Sequence, residues 1–268
     1  MAKVTTFEAG YCTHLACMAQ KGAGFNVCKF PARAWLIEIG VHRWLWDTGY
    51  ADHFERYTQS GIFKLYRKVT PVYLNEGESL KQQFLSNGID LASIEHIILS
   101  HFHGDHIAGL KDFSFSSFIC SHKGWQKIKT LRGFSALMQG FVPDLIPDNF
   151  EQKLTFIESF EKCNLPLDLA PFTEGYIVPN SQKQIILVDL PGHAIGHIGA
   201  FIETDQGWIL LASDAAWTPA NYKQLKGPAK LANFIMDDPI AYYQTLSKLN
   251  QLSLNPNVTI YLSHEGYL

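Results

Sequence analysis

The stretch Ser100–Gly109, SHFHGDHIAG, sets His101, His103, Asp105 and His106 within six positions. Imidazoles and a carboxylate crowded together compete for hydrogen-bond partners, and burial makes each unpaired group costly. A divalent cation removes the conflict, because neutral imidazole and carboxylate are its natural ligands. In an extended segment residues two apart point the same way, so His101 and His103 can hold one ion. A turn at Gly104 then directs Asp105 and His106 toward a second.

One loop does not close two coordination shells. Three further polar residues stand just beyond apolar runs: His193 after 185–190, Asp214 after 208–213 and His264 after 258–263. Each alone reads as an ordinary loop histidine or helix-capping aspartate, and His197 is left as such a loop histidine. With the dense loop they read as a centre for two divalent ions, zinc first, with manganese, iron or cobalt also admissible. Two ions about 3.5–4 Å apart can share a hydroxide and polarise a carbonyl or phosphoryl oxygen, so the site favours hydrolysis. Asp105, beside that hydroxide, is the candidate to carry a proton to a leaving alcohol.

The elements that must position these residues are readable in outline. RAWLIEIG (33–40) and HRWLWDTG (42–49) are apolar runs broken by Gly40 and Gly49, a hairpin ending at Asp47-Thr48-Gly49. ESLKQQFLSNGI (78–89) predicts a helix. Ser79 and Gln82 form a capping-box pattern, Leu80 and Phe84 share a face, and Gly88 suits the C′ position. IEHIILS (94–100) predicts a buried strand, with the dense loop at its carboxyl end, where α/β folds place their chemistry. FSSFIC (115–120) reads as a strand and HKGWQKIKTL (122–131) as a helix. Over 131–176, Pro143, Pro147, Pro166 and Pro171 interrupt an aromatic stretch. Within it Phe134, Leu137, Met138 and Phe141 have amphipathic-helix spacing, fitting either a helix packed on the core or a lid over an apolar substrate. Strand signal returns in 183–193, 197–217 and 257–265, with a hairpin turn at Asp205-Gln206-Gly207. Residues 237–252 predict a helix with Asp238 as N-cap and Pro239 in its first turn. Strands in both halves with helices between them predict an α/β fold, a four-layer αββα sandwich.

Composition bounds the partners. Of 268 residues 47% are hydrophobic, enough for a core without disulfide staples. The net charge is −3 and no Lys or Arg cluster stands out, which argues against a nucleic-acid or anionic membrane surface. No apolar window is long enough to span a bilayer. The first twenty residues lack a basic segment followed by an apolar one, so no signal peptide is expected. Cys12, Cys17, Cys28, Cys120 and Cys163 are odd in number and form no CxxC, which points to free thiols and the cytoplasm. CTHLAC offers Cys12, His14 and Cys17 as a small metal site, but buried thiols and a loop histidine are the simpler reading. The apolar residues near the N-terminus and in 131–150 fit either a homodimer interface or the core.

The ordered set His101-x-His103-x-Asp105-His106, Gly192-His193, Ser213-Asp214 and Ser263-His264, with the early turn Asp47-Thr48-Gly49, resembles the metallo-β-lactamase superfamily over nearly the full chain. The resemblance implies the same αββα fold. It implies that His101, His103 and His193 bind one metal, that Asp105, His106 and His264 bind the other, and that Asp214 bridges them. Departures narrow the substrate. Asp214 stands where true β-lactamases have Cys, and His103 where flavodiiron relatives have Glu. The chain stops four residues after His264, without the helical region of glyoxalase-II-like thioesterases. RNA-processing relatives need a basic surface that this composition does not suggest.

The small N-acyl homoserine lactonases are similar in length, in the bridging aspartate and in ending soon after the last histidine. They carry a tyrosine three residues after that aspartate, where this chain has Trp217. Indole N–H donates a hydrogen bond but cannot act as an acid. Tyr222 is the nearby candidate substitute. The expectation is a single metallo-hydrolase domain over 1–268 with a lid or insertion around 131–176, opening a lactone or similar ester of a small molecule. The alternatives are a mono-iron oxidoreductase of thiols or persulfides with the same ligands, or a hydrolase of another ester or a phosphodiester.

Overall fold

A computed structural model describes residues 1–265. Its first sheet uses β1 (Lys3–Leu15), β2 (Val27–Ile39), β3 (His42–Trp46), β4 (Val72–Tyr73), β5 (His96–Ile98), β6 (Ser117–Cys120) and β7 (Leu154–Phe156), in the order β4-β1-β2-β3-β5-β6-β7. The second uses β8 (Lys162–Asn164), β9 (Glu174–Ile177), β10 (Ile185–Asp189), β11 (Ile198–Thr204), β12 (Gly207–Ser213) and β13 (Val258–Leu262), in the order β13-β12-β11-β10-β9-β8. Each half of the sequence therefore builds one sheet.

Period-two alternation sorts the strand residues into layers. Trp35, Ile37 and Ile39 of β2 meet Ile185 and Leu187 of β10 and Ile198, Ala200 and Ile202 of β11 in one buried cluster between the sheets. Their neighbours Ala34, Leu36, Ile186, Val188 and Phe201 face outward, into the cluster that the helices cover. Helix Leu80–Ser86 adds Leu80 and Phe84 to it, and helix Pro239–Leu252 adds Tyr242, Leu246 and Leu249. The outcome is the expected αββα sandwich.

Local signals explain the helix limits. Ser79 accepts the Gln82 N–H at 3.4 Å, although the Gln82 side chain accepts from the Ser79 hydroxyl and the Gly77 N–H instead of closing a full capping box. Asp238 accepts from Ile240 and Ala241 at 2.9 and 3.0 Å, and Pro239 occupies the first turn. The β11–β12 hairpin pairs Thr204 with Gly207.

Several elements differ from the sequence reading. β2 begins six residues early, at Val27, and pairs with β1 from Lys3↔Glu38 to Leu15↔Val27. β1 escaped notice because its polar residues and Gly10 read as loop; the register shifts between Glu8 and Tyr11, around Gly10. Helices Asp52–Thr58 and Lys64–Val69 also gave no clear periodic signal, each being under two turns. The amphipathic helix spans only Gly133–Met138. Phe134 is exposed, Phe141 lies beyond the helix in the core, and the four apolar residues do not share one buried face. The helix stops before Gly140, whose φ is +58°; a Cβ there would come within 2.8 Å of the His103 ring.

The candidate residues share one rim. Asp47 follows β3, His101 follows β5, His193 follows β10, Asp214 follows β12 and His264 follows β13. His193 is held there by Gly192, whose φ is +125° and whose missing Cβ makes room for the backbone of Tyr242. Gly192→Ala should therefore cost more than about 2 kcal/mol. Asp238→Ala, which removes only a helix cap, should cost about 1 kcal/mol. Denaturant titration of both variants checks the order; equal small losses would contradict this packing.

Candidate metal centre

Among the described residues, two groups of three or more His, Cys, Asp and Glu bring ligand atoms within 4.8 Å of one another. One is His101, His103, His193 and Asp214; the other is Asp105, His106 and His264. All seven sequence candidates thus meet. Asp214 touches both groups: its Oδ2 lies 3.2 Å from His193 Nε2 and 3.3 Å from His264 Nε2, and its Oδ1 lies 3.5 Å from His106 Nε2. Asp105 Oδ2 lies 3.0 Å from His264 Nε2 and 3.5 Å from His106 Nε2.

Three of the imidazoles are aimed by the hydrogen bond at their other nitrogen. His106 Nδ1 donates to Asp47 Oδ2 at 2.8 Å, and His264 Nδ1 to the Pro31 carbonyl at 2.7 Å. His101 Nδ1 meets the Ser100 hydroxyl at 3.0 Å, which itself donates to Asp47. Inside the cluster His193 Nε2 lies 3.0 Å from His103 Nδ1, but other atoms lack partners. His101 Nε2, His106 Nε2, His193 Nδ1 and Asp214 Oδ1 are buried without a hydrogen bond. An orphaned buried group costs about 1–3 kcal/mol. A donor set of imidazole nitrogens and carboxylate oxygens, partly orphaned and clustered, fits a pair of divalent cations.

The electrostatics divide the set. Burial and the neighbouring His106 and His103 hold His101 well below its ordinary pKa. Burial, then His193, push His103 down to about 3. Burial opposes charge on Asp214 and Asp105, yet the surrounding histidines hold both carboxyls below their usual range. Burial would likewise lower His264, but Asp214 and Asp105 hold it up, at about 10. Anionic carboxylates and neutral His101 and His103 are the forms that ligate a cation, whereas the carboxylates hold His106, like His264, above its ordinary pKa, so each carries a proton that a bound cation would displace.

Two supporting residues escaped the sequence reading. In the sequence Asp47 reads only as part of a turn and His197 as a loop histidine. His197 is in fact buried, its Nδ1 donates to the Leu190 carbonyl at 3.0 Å, and its Nε2 accepts the Asp214 N–H at 3.3 Å. The repeat of histidine four residues on, in GHAIGH just before a strand, was the available signal.

A cavity of about 440 Å³ opens on both groups. Trp217 lines it, its ring edge-on to His193 with centroids 5.6 Å apart. Leu137, Met138 and Gly140 line it from the 131–176 stretch. Tyr222 corrects the expectation: it is buried in helix Pro219–Lys223 and is not among the cavity-lining residues. Asn221 causes the turn, accepting the N–H groups of Trp217 and Thr218 and donating to the carbonyls of Ala19 and Lys226. Cys12 and His14 lie in β1, so His14 is not in a loop, and Cys12, His14 and Cys17 form no third ligand group among the described residues. All five cysteines are free, and no helix among the described residues is long and apolar enough to cross a membrane.

The sequence profile of the metallo-beta-lactamase superfamily matches residues 29–264. The chain is similar to the metallo-hydrolase mfmC of Annulohypoxylon moriforme, 25% identical over 237 residues, covering 84% of this chain but only 60% of that protein. It is similar to the N-acyl homoserine lactonase AiiA of Bacillus thuringiensis subsp. kurstaki, 26% identical over 246 residues, covering 90% of this chain and 83% of that protein. A solved N-acyl homoserine lactone hydrolase, with the product N-hexanoyl-L-homoserine at its catalytic metal centre, has the same fold at a TM-score of 0.72 and 20% identity, over 98% of this chain and 92% of that one. With the profile spanning every candidate ligand, the chain belongs to the metallo-beta-lactamase superfamily.

Proposed function

We propose that this protein is a dinuclear metal-dependent hydrolase that opens a small, uncharged, apolar lactone of the N-acyl homoserine lactone kind. His101, His103 and His193 would hold one cation and Asp105, His106 and His264 the other, with Asp214 shared and zinc the first choice of metal. Cations held there acidify water and polarise a carbonyl oxygen. Asp105, in the cavity wall, carries a proton from the attacking water to the departing alkoxide oxygen. Trp217 gives the substrate an apolar wall beside His193, and the 131–176 stretch acts as a lid through Leu137 and Met138, keeping bulk water out. Five free thiols suit a reducing cytoplasm.

The cavity carries this reading. It is mostly apolar, it abuts both ligand groups, and among the described residues no lysine or arginine lines it. A phosphodiester or nucleic acid would find no lysine or arginine to receive its charge, whereas an acyl chain would be desolvated favourably. The similarity to AiiA over most of both chains supports the same substrate class.

Protein loaded with zinc or manganese should hydrolyse acyl homoserine lactones, lose that activity to a chelator, and regain it on metal addition. Turnover of phosphodiesters alone, or thiol oxidation by a protein holding one iron, would overturn the reading. Asp47→Asn keeps the shape of the side chain but removes the charge behind His106. Metal affinity should drop about 10- to 100-fold, measured by competition with a chromophoric chelator. An unchanged affinity would deny Asp47 its orienting role.

A further inference from the structure

Outside the two ligand groups, six cavity-lining side chains can donate a hydrogen bond: Cys12, His14, Tyr50, Tyr66, Thr70 and Trp217. They are not equivalent. Cys12 and Tyr50 are buried and engage each other, thiol to phenol. His14 uses Nδ1 to accept the N–H of Leu15 at 2.9 Å. Thr70 follows the end of helix Lys64–Val69, and Trp217 packs its ring against His193.

Tyr66 reaches the dense loop itself. A Cβ on Gly104, the residue between His103 and Asp105, would lie 3.6 Å from the Tyr66 hydroxyl oxygen. Its ring is fixed edge-on to Phe54, with centroids 5.2 Å apart and planes at 79°. The same hypothetical Cβ would lie 2.6 Å from the Phe54 ring, so the glycine lets this aromatic pair close on the loop. A phenol, with an ordinary pKa of about 10, is protonated at neutral pH and can donate. The tyrosine comes from a different wall than Trp217, out of helix Lys64–Val69.

We propose that Tyr66 is a catalytic residue that donates a hydrogen bond to the carbonyl oxygen of the bound lactone, a bond that strengthens as negative charge develops there during attack by water. This rests on the lactone reading and adds to it the residue that meets the substrate's carbonyl. No proton is transferred by the phenol; the hydrogen bond is kept through ring opening.

Tyr66→Phe removes one oxygen and leaves the ring against Phe54. Metal content and melting temperature should stay as in the parent protein. The turnover number should fall about 100-fold while KM changes less than about threefold, since the bond matters most in the transition state. Trp217→Phe should instead act mainly on KM. A second arm uses a lactam, the lactone with its ring oxygen replaced by N–H, bound to the metal-loaded protein and followed by infrared spectroscopy. Its carbonyl stretch should lie lower in the parent protein than in Tyr66→Phe. A Tyr66→Phe turnover within about threefold of the parent, or an identical carbonyl stretch, overturns the proposal. If the parent cleaves no lactone yet the carbonyl stretch still depends on Tyr66, the lactone reading and the catalytic role fall together, and Tyr66 is left as a residue that binds a carbonyl; if the parent cleaves lactones and Tyr66→Phe does so equally well, only the role of Tyr66 falls. If the lactam does not bind the parent at all, both fall.

Discussion

Beneath the ligand cluster the carboxylate of Asp47 accepts the Ser100 N–H at 2.8 Å, the Ser100 hydroxyl at 2.7 Å and His106 Nδ1 at 2.8 Å. The Ser213 hydroxyl approaches it at 3.3 Å and itself accepts from the Trp46 indole at 2.9 Å. Asp47 follows β3 of the first sheet and Ser213 ends β12 of the second, so one anion ties the two halves of the sandwich under the site. Both residues have positive φ, 56° and 45°, without being glycine. Such backbone costs about 1–3 kcal/mol each and persists only where the surroundings determine it. Here the surroundings are a buried, fully engaged carboxylate, and the strain turns the chain sharply so that Asp214 points into the centre.

That anchor explains why seven residues spread over 164 positions can share a small volume. Strand packing sets their height, since each follows the carboxyl end of a strand or begins the loop beyond it. Hydrogen bonds at the far nitrogens set their direction: Pro31 behind His264, Ser100 behind His101, Asp47 behind His106, and His197 behind the Asp214 backbone. What remains is a cluster of imidazole and carboxylate in which His101 Nε2, His106 Nε2, His193 Nδ1 and Asp214 Oδ1 have no hydrogen-bond partner. The apolar wall beside it makes any charge that develops there depend on the centre and on the few hydrogen-bond donors that line the cavity.

The ligands were legible because their chemistry is dense and local. Three imidazoles and a carboxylate in six positions have few other uses, and strand-terminal polar residues are recognisable from the apolar runs before them. Helix Pro239–Leu252 and the β11–β12 hairpin were equally plain, since cap and turn residues act within four positions. What long-range contact decides was not legible. Asp47 acts on residues 53 to 166 positions away, and His197 looks like a loop residue until the Leu190 carbonyl is seen against it. Tyr222 was nearest to Trp217 in sequence, but Asn221 turns that helix so that the ring packs inside; the phenol that reaches the dense loop is Tyr66, from an element too short to show a period.

The account stands on two cations sharing Asp214. The most direct measurement is an anomalous-scattering map from crystals of the metal-loaded protein, recorded at the absorption edge of the bound metal. Two peaks are expected, one among His101, His103 and His193 and one among Asp105, His106 and His264, about 3.5–4 Å apart with Asp214 between them. A single peak, or density at Cys12, His14 and Cys17 with none at Asp214, would contradict it.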